Sequence, residues 1–149
     1  MYYKGKFKPK NKHKYVGDVS NIVYRSRWES VFFSYLDTHS DVIQWASEEL
    51  IIPYISPVDK KAHRYFPDVI AKIRNKEGII ETVVIEIKPL KETKPPVIKK
   101  TKKGKPTKRA LYEVKTWAIN SAKWQAAEQF CEKRGWKFLK ITEKELGIK

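Results

Sequence analysis

The chain has 149 residues, 41% of them hydrophobic, which is enough for one domain with a packed core and argues against wholesale disorder. With one cysteine and three scattered histidines, an internal disulfide is excluded and a structural zinc site is not expected. No apolar run is long enough to span a bilayer, and the basic start lacks the apolar stretch of an export signal, so neither a membrane span nor export is expected.

The net charge of +15 is concentrated rather than spread. Residues 1–14 hold Lys4, Lys6, Lys8, Lys10, Lys12 and Lys14 and no acid. Residues 88–109 hold Lys88, Lys91, Lys94, Lys99, Lys100, Lys102, Lys103, Lys105, Lys108 and Arg109 against Glu92 alone. The rest of the chain is neutral. Two basic segments on a neutral body point to a polyanion gripped through its phosphates. Nucleic acid fits better than a membrane surface, because neither an amphipathic basic helix nor a lipidation motif is present.

In chain order, residues 1–20 read as a polar arm or irregular lead-in. Its "MYYKGKF" suits either single-strand stacking or a disordered arm. A helix begins at "SRWESVFFSYLDTH". Ser26 is placed to cap it, and Trp28, Val31, Phe32, Tyr35 and Leu36 share one apolar face. The stretch "VIQWASEELIIPYI" gives short extended pieces, with "LIIPYI" the better strand and Pro53 confining it to an edge or interrupting its ladder. Next, "HRYFPDVIAKIR", the turn "NKEG" and "IIETVVIEIK" form a β-hairpin. Pro89 ends ladder donation, and residues 89–109 form a long Pro- and Lys-rich loop. Helix resumes near "ALYEVKTWAINSAKWQAAEQFCEKRG", divided in two if Asn120 or Ser121 caps a second segment, and ends at Gly135. "WKFLKIT" is a last strand, and Thr142 and Glu145 have capping-box spacing. The five tryptophans read as core residues before base-stacking ones. The order is helix, three strands, basic loop, helix, strand: one α/β domain around a mixed sheet.

The returning arm of the hairpin holds a conflict. In "VVIEIKP", Ile85 and Ile87 share one face of the strand and Glu86 and Lys88 the other. A Glu–Lys pair on a solvent face is the plain explanation. Asp68 adds another, since a turn centred in "NKEG" sets Asp68 opposite Glu86, with Lys88 one pleat further on. Two adjacent carboxylates repel, and a hard divalent cation such as Mg²⁺ relieves the conflict while meeting a substrate phosphate. The backbone carbonyl of Ile87 is a further oxygen donor.

Pro67–Asp68 followed by Glu86–Ile87–Lys88 across a hairpin resembles the PD-(D/E)xK nuclease superfamily, whose αβββαβ core matches the order above. That resemblance implies an additional acid on the first helix, which is Glu29 here. Ser26 and Glu29 also have capping-box spacing, so a structural role competes. Glu48 and Glu49 are either positioning groups or solvated loop acids. Over nearly the whole chain, "YRSRWE", "RYFPD", the run from Glu86 through Pro96 and "KWQAAEQFCEKRGWKF" resemble the head-completion proteins of large contractile-tailed phages, relatives of the TnsA-type transposon endonucleases. Glu86 stands where TnsA carries glutamine, which brings this chain nearer the general superfamily pattern.

The resemblance implies a Mg²⁺-dependent DNA endonuclease (with Mn²⁺ able to substitute) acting on packaged DNA as the capsid closes. It implies metal held by Asp68, Glu86, the Ile87 carbonyl and Glu29, catalysis by these acids with Lys88, and DNA backbone contacts from the two basic segments. Portal or head–tail connector proteins are the implied partners, in the host cytoplasm during assembly or in the virion. The rival readings are a silent DNA-end clamp at the head–tail joint and a junction-resolving or restriction-type endonuclease.

Overall fold

The computed structural model describes residues 4–147. In chain order the strands are β1 (Gly5–Lys6), β2 (Val23–Tyr24), β3 (Val42–Ser47), β4 (Ile52–Ile55), β5 (Ala62–Tyr65), β6 (Val69–Arg74), β7 (Ile80–Ile87) and β8 (Lys137–Ile141). The α-helices are α1 (Arg27–Thr38), α2 (Lys108–Arg134) and α3 (Glu143–Leu146). Strands β3, β6, β7 and β8 make a four-stranded sheet in that order, antiparallel except for the parallel β7–β8 pair. The expected mixed sheet is therefore present. Among the described residues no helix is long and apolar enough to cross a membrane.

Sequence explains most of these elements. Ser26 caps α1 by accepting from the Glu29 N–H at 3.1 Å. Phe32, Phe33 and Leu36 of α1 are buried against Val42, Trp45, Val69, Ala71, Val83 and Ile85 on one face of the sheet. On the other face, Trp124 and Ala127 of α2 pack with Ile52 and Tyr65, and Phe138 of β8 joins them. Asn75 and Gly78 close the β6–β7 turn, where Gly78 has φ +82, a conformation that costs other residues energy.

Three expectations need correction. "LIIPYI" does not enter the main sheet. Its strand β4 pairs only with β5 in a separate ribbon, and the preceding β3 takes the sheet edge. "HRYFPDVIAKIR" is two strands, because Pro67 donates no ladder hydrogen bond and the chain changes sheets across Phe66–Asp68. Helix α2 is unbroken through Asn120 and Ser121. Trp117 and Trp124 pack edge to face at 5.8 Å across that point, and packing outweighs the capping preference of two polar residues.

The basic lead-in is also no free arm over its described part. Phe7 packs edge-on to Phe33 and Trp45, and its N–H donates to the Ile22 carbonyl at 2.7 Å. The buried Asp37 carboxylate accepts the Lys10 and Asn11 N–H groups, both at 2.9 Å. Lys14 is buried, and its ammonium donates to the carbonyls of Asp37 and His39. Tyr2 and Tyr3 lie outside the described residues.

Asp37→Ala is expected to cost ~2–4 kcal/mol, because two main-chain donors lose their acceptor in a buried setting. Urea unfolding checks this, and a loss under 0.5 kcal/mol, the range of ordinary surface changes, would mean the lead-in is held by its aromatics alone.

Candidate active site

Val69 pairs with Ile85 across the hairpin, and that register continued by one residue sets Asp68 opposite Glu86. Asp68 sits just outside β6, after the Pro67 break, with its carbonyl still accepting the Glu48 N–H. Its side-chain Oδ2 accepts the Ile87 N–H at 2.7 Å. Glu86 is buried, and its Oε2 accepts the hydroxyl hydrogen of buried Tyr65. One oxygen of each carboxylate is thus anchored, leaving the other for a proton or a cation.

The electrostatics carry the expected conflict. Burial first, then the neighbouring Glu86 through a hydrogen bond and its charge, pushes the Asp68 carboxyl well above the usual carboxylate range. Burial, and then the Glu86 charge, also raises the Tyr65 hydroxyl, so Tyr65 stays a donor. Glu29 is raised as well, mainly by burial and further by Glu48 and Glu86, against the Arg25 N–H that its Oε2 accepts at 2.7 Å. That bond departs from a full capping box, in which Glu29 would turn to the Ser26 N–H.

A cleft of about 560 Å³ gathers these groups, with Glu29, Asp68, Glu86, Ile87 and Lys88 all in its walls beside Arg25. Lys88 follows β7 directly, and its N–H donates to the Ile141 carbonyl of β8 at 2.9 Å. Trp28 also lines the cleft, so the core role expected for it is only partial. Glu48 is no isolated loop acid, because it pairs with Arg25 and its N–H meets the Asp68 carbonyl at 3.3 Å. Glu49 stands outside the cleft walls.

Tyr65 and Arg25 are the neighbours that residue spacing did not single out. Residue spacing carried no signal for Tyr65, because its strand, Ala62–Tyr65, is otherwise exposed and only the fold brings its hydroxyl to Glu86. Among the described residues no three His, Cys, Asp or Glu side chains are already arranged to hold a metal ion. The donor chemistry nevertheless fits a hard divalent cation, since the hairpin brings two carboxylates together and only one oxygen of each is anchored by a donor from elsewhere.

The basic residues divide in two. Lys4, Lys6, Lys8, Lys10 and Lys12 are exposed, as are Lys91, Lys94, Lys99, Lys100, Lys102, Lys103, Lys105, Lys108 and Arg109. Lys14 is withdrawn from any DNA contact by its burial.

Residues 39–143 match the family model of the TnsA-like endonuclease N-terminal domain. The head completion nuclease of Enterobacteria phage T4 is 43% identical over 152 aligned positions, covering 100% of this chain and 99% of that protein. No solved structure matches. The family-model match spans the hairpin, both carboxylates and Lys88, and the mixed sheet with its flanking helices is the corresponding architecture: the chain belongs to the TnsA-like endonuclease family and has a PD-(D/E)xK nuclease fold.

Proposed function

We propose that this protein is a divalent-metal-dependent DNA nuclease that hydrolyses phosphodiester bonds at DNA ends during phage head completion. One observation supports this above the others: Asp68, Glu86 and Lys88 line one cleft with Glu29, and burial together with the neighbouring Glu86 raises the Asp68 carboxyl. The phage T4 relative is named a head completion nuclease, and identity along the full chain supports the same setting here. That setting is the host cytoplasm during capsid assembly or the virion, with portal or connector proteins as neighbours.

Asp68 and Glu86, with the Ile87 carbonyl, would hold Mg²⁺ or Mn²⁺, and Glu29 would supply a further carboxylate. When bound, the cation polarises the phosphate and acidifies water. Tyr65 fixes the Glu86 carboxylate by its hydrogen bond, and the Ile87 N–H does the same for Asp68. Lys88 orients the attacking water and offsets charge growing on the phosphate oxygens. The water oxygen bonds to phosphorus as one phosphorus–oxygen ester bond breaks. The exposed lysines bind the sugar-phosphate backbone and carry little sequence information.

With linear and branched DNA and Mg²⁺, Asp68→Ala and Lys88→Ala are each expected to cut roughly 100- to 10,000-fold more slowly than wild type. DNA binding should survive in both. If wild type binds DNA and cuts none of it with either Mg²⁺ or Mn²⁺, the silent end-clamp reading takes over.

Metal-free stability gives a second check. The raised carboxyl of Asp68 contributes stability that is complete below the ordinary carboxylate range and is lost as pH climbs through its raised value. Asp68→Asn removes that loss. In EDTA at neutral pH it should therefore melt ~2–5 °C above wild type, and the advantage should vanish in acid. Excess Mg²⁺ should raise the melting temperature of wild type but not of the variant; equal shifts would place the cation elsewhere.

A further inference from the structure

Beyond Lys88 the chain passes Pro89 and the short helix Leu90–Thr93, and the Pro/Lys-rich segment then runs beside the start of α2. Between them lies a groove of about 610 Å³, which shares no lining residue with the active cleft. The two are neighbours all the same. Pro89 lines the cleft and Lys91 lines the groove, and two residues of chain reach at most about 7 Å.

The groove combines cations with an aromatic platform. Lys91, Lys94, Lys99 and Arg109 line it, against Glu92 and Glu113. Glu113 is already paired with Arg109 at 3.0 Å. Tyr112 stands in the wall 69% exposed, and the partly buried Trp117 lines it further along α2. The first turn of α2 carries no acid, and Lys108 and Arg109 open the helix. Cations at a helix N-terminus work against its dipole, an arrangement that a bound anion would turn to advantage.

A duplex is too broad to enter a groove of this size, whereas a single strand presents separate phosphates and unstacked bases. A row of cations beside an exposed aromatic ring is the chemistry that holds such a strand irrespective of sequence. We infer that this groove binds the unpaired strand of a DNA end or branch and leads it to the active cleft, with phosphates on Lys91, Lys94, Lys99 and Arg109 and a base stacked on Tyr112. This deepens the nuclease reading and rests on it for its purpose, but its test requires no cutting.

The full chain is titrated against fluorescein-labelled oligothymidylate and a duplex of equal length in EDTA, with circular dichroism as the check on folding. Tyr112→Ala should weaken single-strand binding about 5- to 100-fold, with a smaller effect on the duplex, and Tyr112→Phe should retain it. Lys94→Ala and Lys99→Ala should each reduce the single-strand salt slope by ~0.7. Unchanged binding by Tyr112→Ala, or equal losses on both DNAs, would overturn the inference. So would full binding by Tyr112→Leu, which would mark an apolar protein-docking patch instead. Cutting by wild type with Mg²⁺ is scored separately: loss of the nuclease reading leaves a Tyr112-dependent binding result standing, and Tyr112-independent binding sinks only the groove.

Discussion

The site depends on two carboxylates being held against each other at the open end of a hairpin. Neither acid would choose this arrangement: burial and proximity raise the proton affinity of Asp68. The surrounding structure enforces it. The β6–β7 register fixes which residues meet, and a slip of one residue would turn every side chain of β7 to the opposite face. Val83 and Ile85 pack into the core beneath α1, so such a slip would carry Glu86 into that apolar core in their place. The apolar face of the strand thereby guarantees the position of its polar face.

Around that pair, the supporting groups come from elements far apart in sequence. Tyr65 reaches Glu86 from the end of the β4–β5 ribbon, and Glu29 approaches from the first turn of α1. Glu48 holds Arg25 while its own backbone sits at φ 56, left-handed for a residue with a side chain, at the point where the chain leaves β3. Local strain beside a cleft is common where an exact geometry matters more than local comfort. The excess positive charge is arranged on a different principle. It remains on exposed side chains, whereas the one lead-in lysine that is buried, Lys14, is satisfied by carbonyls.

Much of this could be read from the residues, for reasons that differ by element. The hairpin was legible because a turn signal sat between two β-branched runs, so the Asp68–Glu86 register followed from the position of "NKEG". Helix α1 was legible from its cap and apolar spacing. The fate of "LIIPYI" was not, because an apolar run says that a strand will be buried but not in which sheet. The continuity of α2 depended on Trp117 and Trp124 meeting over Asn120, a tertiary contact invisible to local preference. That the lead-in is irregular was legible, but its anchoring was not, because its lysines outnumber the residues that hold it. Phe7, Lys14 and Tyr15 each find a buried partner supplied by distant residues. The Tyr65–Glu86 bond was hidden for the same reason.

Strand β7 has one further dependence. Its far edge is completed by β8, and just beyond it the Leu90 N–H is held by the Glu143 carboxylate, 53 residues away in sequence. Parallel pairing of this kind cannot form until the whole excursion through α2 has been made. During synthesis, the strand bearing Glu86 and Lys88 therefore waits, half-finished, while α2 and β8 are translated. A ribosome-bound fragment ending before β8 would have the hairpin but lack the clamp that holds Lys88. The fold thus delays assembly of a potentially destructive centre until most of the polypeptide has emerged.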